Sequence, residues 1–148
     1  MKKIFLFMLV GSLTLSLNSC SKDNDSTPAG SSLTMKVGGV QKTFNTITVD
    51  EIPYDDYVDL IITASNNGST SEFVTFGIGK GDMGTGHAWG FEYTLNDVVY
   101  TEGDVIRTIS SNATTNSDNK LVGTFSGTVT SSDNATIELS QGSFNISY

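Results

Sequence analysis

The chain is 148 residues long, with 8 basic and 16 acidic side chains, a formal net charge of −8, one cysteine and one histidine. That length holds one domain of ordinary size and not two comfortable ones. The negative surface argues against nucleic acid and against electrostatic adhesion to anionic lipid, because neither phosphate backbone would be neutralised; a single cysteine and a single histidine argue against a disulfide framework and a zinc centre.

Met1-Lys2-Lys3 is a short positive start, and Ile4 to Leu17 is an apolar run too short for a stable transmembrane helix, which together make the pattern of a secretory signal peptide. A cut before Cys20 puts Leu17 at minus three, where an ordinary signal peptidase requires a small residue. Leu17-Asn18-Ser19-Cys20 instead resembles a bacterial lipobox, with an aliphatic at minus three, a small residue at minus one and an obligatory cysteine. The Cys20 sulfur is the nucleophile that takes a diacylglyceryl group as a thioether, and the new amino terminus is then acylated as well. Two or more acyl chains anchor stably where one binds reversibly. The expectation is therefore a signal peptide over residues 1–19 and a membrane attachment at Cys20. Loss of Lys2 and Lys3 leaves six basic against sixteen acidic side chains, a net charge of −10. Residues 20–32 hold no large apolar side chain and read as a flexible tether, several tens of Å long if extended at about 3.3 Å per residue.

From Leu33 the pattern becomes short alternating runs broken by Gly, Asn, Asp and Ser, with no apolar stripe of helical period. Thr34–Val37 and Val40–Phe44 flank Gly38-Gly39, a two-residue hairpin signal, and Ile47–Val49 extends the second strand. Residues 50–56 read as a loop. Tyr57–Ala64 aligns Val58, Leu60, Ile62 and Ala64 on one face and is the best candidate for a central strand; Asn66 to Ser69 turns the chain into Glu72–Ile78. After the glycine-rich loop 79–86, alternation puts His87, Trp89, Phe91, Tyr93 and Leu95 on one face. Asn96-Asp97 turns into Val98–Tyr100, Glu102-Gly103-Asp104 turns into Val105–Ser110, and residues 112–119 read as a long polar loop. Leu121–Val129, Thr136–Leu139 and Phe144–Tyr148 complete the chain, with Gly142 expected to break or bulge the last stretch. Eight to ten short strands with no helix for parallel crossovers predict an all-β, antiparallel domain over residues 33–148, a sandwich or, alternatively, a small up-and-down barrel with an internal cavity.

Four features invite a chemical reading. Gly79-Lys80-Gly81-Asp82-Met83-Gly84 satisfies a dinucleotide-binding pattern, but a strand rather than a helix follows it, so a hairpin loop is the expectation and no cofactor is predicted. Asp50, Asp55, Asp56 and Asp59, with Glu51, crowd carboxylates into ten residues, which suits either a calcium site or a solvated acidic loop. His87 lacks the companions a metal or catalytic role requires. Trp89, Phe91 and Tyr93 read as a buried face, whereas Tyr54, Tyr57 and Trp89 form a candidate platform for sugar rings, which stack on aromatics.

The opening hairpin Met35–Phe44, the repeat Gly123-Thr124-Phe125-Ser126-Gly127 and the closing Gln141-Gly142-Ser143-Phe144-Asn145-Ile146 resemble the small all-β lipoproteins of Bacteroidetes, many in families without an assigned function. Cys20-Ser21-Lys22-Asp23-Asn24-Asp25 is similar to that phylum's lipoprotein export signal, and Asp25-Ser26-Thr27 to its O-glycosylation motif. The resemblance implies an outer-membrane location, facing the cell surface or the periplasm, and carries no catalytic residues. The resulting expectation is a non-catalytic module for a glycan or envelope protein, its loops held away from the membrane. The alternatives are a polysaccharide hydrolase using carboxylates of residues 50–59, which needs two carboxyls roughly 5 to 9.5 Å apart across a bond, and a structural or inhibitory envelope module.

Overall fold

The computed structural model describes residues 30–103 and 106–148. The expected signal peptide, Leu17, Asn18, Ser19 and Cys20, and nearly all of the expected tether lie outside the described residues. Among those described there is no helix: eleven strands form one antiparallel sheet, curled nearly into a barrel, nine of them in the order β2-β1-β11-β10-β8-β7-β5-β4-β3 and the other two, β6 and β9, off that path. The strands are β1 Ser32–Val37, β2 Val40–Phe44, β3 Thr46–Pro53, β4 Val58–Ser65, β5 Glu72–Gly79, β6 Gly84–Thr85, β7 Trp89–Leu95, β8 Val98–Thr101, β9 Ile109–Ser117, β10 Lys120–Ser131 and β11 Thr136–Ser147.

Local turn chemistry sets much of this order. Gly38-Gly39, Asn96-Asp97 and Asp118-Asn119 all have positive φ at both positions, the two-residue turn whose twist matches that of the strands it joins. The third of these corrects the long polar loop expected at 112–119, which is instead strand β9 and a tight turn. After Ile109 its inward positions are Ser111, Ala113 and Asn116, too small or polar to show a hydrophobic period. A register shift beside Thr114 also breaks the alternation. Residues 50–53 are likewise strand and not loop, because β3 pairs with β4 as far as Pro53–Val58. The strand expected from Val105 begins only at Ile109.

β2 and β3, the two ends of the sheet order, are separated by Asn45 alone, so residues 40–53 form one long segment. Its first half pairs with β1 and its second with β4. Asn45 N–H donates to Ser65 O at 3.0 Å, and the Asn45 and Asn67 side chains bond at 2.8 Å. The sheet's two edges are thus the same piece of chain, which leaves little free edge for pairing with another molecule. β10 divides its other side between β9 and β8, and β6 extends β9.

The interior is filled with side chains. Phe76 of β5 and Phe91 of β7 stack at 4.9 Å, Phe91 meets Phe125 of β10 at 5.1 Å, and Phe76 meets Phe144 of β11 at 5.3 Å. Phe125 and Phe144 close the ring at 6.4 Å. Phe125 pairs across the strands with Gly142, and Phe144 with Gly123; each ring covers the partner glycine, where a Cβ would collide with it. At one mouth Tyr93 Oη donates to Glu72 Oε1 at 2.7 Å, and Lys42 Nζ pairs with the same oxygen at 3.0 Å. Burial and that bonded carboxylate push the Tyr93 phenol well above its ordinary value.

Gly123→Ala must displace both Phe144 and the Asn112 carbonyl, so it should destabilise the protein by about 1–3 kcal/mol, seen as a lower midpoint in urea. A phenol whose pKa is raised on folding holds its proton in the folded state after the unfolded chain has lost it. Stability should therefore fall as pH rises above about 10. Tyr93→Phe should flatten that alkaline limb, leaving the smaller part due to Tyr148, also raised by burial; denaturant midpoints from pH 8 to 11 check this.

Candidate functional site

The face expected to be wholly buried in β7 is broken by one residue. Thr75 pairs with Glu92 and Gly77 with Trp89, so Gly90 and Phe91 together oppose Phe76. Gly90 has φ 64, the left-handed glycine of a common bulge type. The extra residue reverses the parity of what precedes it. Phe91 and Tyr93 remain in the core, Ala88 turns inward, and Trp89 turns out. Its indole lies over Gly77 on the outer surface, where a Cβ on Gly77 would fall 2.5 Å from the ring. The alternation that assigned Trp89 to the core is thus corrected, while the platform reading of the same residue gains a geometry.

The register carries that outer face across the sheet. Trp89, Gly77, Ile61 and Asp50 are successive partners on β7, β5, β4 and β3, with Gly79, Asp59 and Ile52 forming the next row. Two residues beyond this row the β3–β4 hairpin closes through Tyr54 N–H donating to Tyr57 O at 2.8 Å. Tyr54 and Tyr57 are 50 % and 57 % exposed, and their rings stack at 4.6 Å with 18° between planes. From Tyr57 to Trp89 is roughly 15 Å, taking four residues of rise at about 3.3 Å plus the lateral strand spacing. All three platform candidates therefore lie along one surface.

Carboxylates lie between them. Asp59 stands opposite Gly79 on β4, and the Asp82 carboxylate lies over Gly79, with its Oδ2 2.5 Å from where a Cβ would be. Asp82 belongs to the glycine-rich loop, which turns through Asp82 N–H donating to Gly79 O and is fastened by Asn116 Nδ2 to the carbonyls of Gly79 and Asp82. That is the hairpin-type reading of the motif, followed by β6 and no helix. His87 is exposed, with Nδ1 3.7 Å from Asp82 Oδ2. Asp55 and Asp56 occupy the exposed tip between the two tyrosines. The calcium candidates Asp50, Asp55, Asp56 and Asp59 are not gathered. Among the described residues no group of three or more His, Cys, Asp or Glu side chains is placed to hold a metal ion.

Beside Trp89 is a shallow depression of about 300 Å³ lined by Trp89, Glu92, Thr101, Glu102 and Arg107 among others. Neither Glu102 nor Arg107 stood out in the sequence, where Glu102 read only as a turn residue. Gly90, alone inside a strand pattern, was the available signal for a bulge. Comparison with protein-family models, curated proteins and solved structures gives no match to this chain.

Proposed function

We propose that this protein is a lipid-anchored lipoprotein of the bacterial outer membrane, of the Bacteroidetes type, whose domain binds a glycan without acting on it. The observation that carries the glycan reading is the bulge at Gly90, which sets Trp89 on the outer surface that also bears the exposed Tyr54–Tyr57 stack. Aromatic rings offer apolar surface to the C–H faces of sugars, and the intervening Asp59 and Asp82 carboxylates accept hydrogen bonds from hydroxyls. An open surface of this length suits a chain of several sugar units better than a single small molecule, which pockets usually enclose. The acidic balance of the chain favours a neutral polysaccharide over an anionic one.

The anchor is checked by fractionating cells that express the protein: wild type should pellet with membranes and label with palmitate, and Cys20→Ser should do neither. The binding is checked by calorimetric titration of purified protein with a panel of neutral polysaccharides, a readout that does not depend on Trp89, the only tryptophan. Trp89→Ala and Tyr57→Ala should each weaken binding by roughly two- to tenfold, the 0.5–1.5 kcal/mol of one aromatic contact. Absence of binding across the panel, or equal affinity in both variants, would overturn the glycan reading.

A further inference from the structure

The two peptide groups that flank Trp89 are both held by charged side chains from a different part of the chain. Before it, Ala88 O accepts from Arg107 Nη1 at 3.3 Å, and the same nitrogen donates to Gly86 O at 2.9 Å. After it, Gly90 N–H donates to Glu102 Oε1 at 2.5 Å, and Phe91 N–H donates to that same oxygen at 3.2 Å. Glu102 N–H in turn donates to Phe91 O at 2.9 Å. Glu102 and Arg107 both lie between β8 and β9, and they form no ion pair with each other. Glu102 is committed to the backbone of the bulge and Arg107 to the backbone of the segment that leads into it.

The burial of Glu102 shows how specific this commitment is. Glu102 is only 8 % exposed, and its second oxygen, Oε2, is buried with no hydrogen-bond partner. Carrying a carboxylate into the protein with one oxygen unsatisfied is unfavourable, and the compensation visible at this position is the pair of N–H groups of Gly90 and Phe91. Both groups lie on the side of β7 that faces the end of β8, where Glu102 N–H also meets Phe91 O. Bonds from N–H to a charged acceptor are about twice as strong as neutral ones, so a carboxylate holds the bulge more firmly than a neutral side chain would.

We infer that Glu102 and Arg107 are the positioning residues of the Trp89 surface: together they lock the bulge that turns the indole outward over Gly77. The consequence for binding rests on the glycan reading above. The placement of Trp89 does not, because it can be read with no glycan present. Neither residue needs to touch a ligand for this role, and loss of either should free the 86–91 segment and lift the ring from Gly77.

The test uses the emission and acrylamide quenching of Trp89 in the purified protein. Glu102→Ala and Arg107→Ala should each shift the emission to longer wavelength and make the indole easier to quench, with the far-ultraviolet circular dichroism of the sheet retained. Glu102→Gln, which keeps an oxygen for the Gly90 and Phe91 N–H groups, should restore most of the wild-type signature. If Glu102→Ala does not fold, Arg107→Ala and Arg107→Lys carry the comparison, since Arg107 is exposed. Unchanged emission and quenching in a folded alanine variant would overturn the inference. Displaced Trp89 in a protein that binds no polysaccharide would support the clamp and retire the glycan reading alone. Where a polysaccharide binds, the alanine variants should lose about tenfold in affinity, equivalent to about 1.4 kcal/mol, and full retention of affinity would count against the clamp.

Discussion

The packing of Phe76, Phe91, Phe125 and Phe144 into a closed ring is the contact from which the rest of the architecture follows. It joins β5 and β7 to β10 and β11, pairs of strands with β8 between them in the sheet. Two of its members are set by one reciprocal register: Gly123-Thr124-Phe125 runs antiparallel to Gly142-Ser143-Phe144, so that each ring covers the other strand's glycine. A slip of one residue would send both rings to solvent and leave the glycines uncovered. Aromatic side chains over cross-strand glycines are a known device for stabilising such positions, and here they also set how closely the two halves of the sheet approach.

The remaining constraint is closure. A sheet of this curvature would present two edges, and this chain avoids that by using residues 40–53 for both. Polar groups are drawn in at the two ends and satisfied there: Lys42, Glu72 and Tyr93 at one, and Asn116 with Tyr148, Gly79 and Asp82 at the other. The second of these networks is also what brings the glycine-rich loop down beside the β3–β4 hairpin. Stability and the shape of the candidate surface are therefore two products of the same bonds.

Function enters where the regular pattern is interrupted. A strand without the extra residue at Gly90 would keep Trp89 in phase with Phe91 and Tyr93, buried and unavailable. The bulge, held by Glu102 and Arg107, moves one large aromatic from the inner to the outer surface without disturbing the phenylalanine ring behind it. It sits at the fork where β10 divides between β8 and β9. There Glu102, just after β8, and Arg107, just before β9, reach the backbone at the start of β7.

Much of the architecture was legible in the residues themselves. The antiparallel all-β class followed from short alternating runs without a helical stripe, the hairpins from Gly38-Gly39 and Asn96-Asp97, and the core from Leu60, Ile62, Val74 and Phe76 at period two. Those are local signals, set by backbone sterics and by the need of each strand to bury one face. The greater part of strand β9 escaped because beyond Ile109 its inner positions, Ser111, Ala113 and Asn116, carry no hydrophobic signal, being shaped by neighbours rather than by their own apolarity. The exposed tyrosines could be named from the sequence, but not their stacking. That Trp89 points outward, that it shares a surface with Tyr54 and Tyr57, and that Glu102 and Arg107 hold it there were decided by the tertiary structure alone. Each depends on which residues face one another across strands far apart in the chain, and a one-residue change of register reverses the face without altering the local pattern.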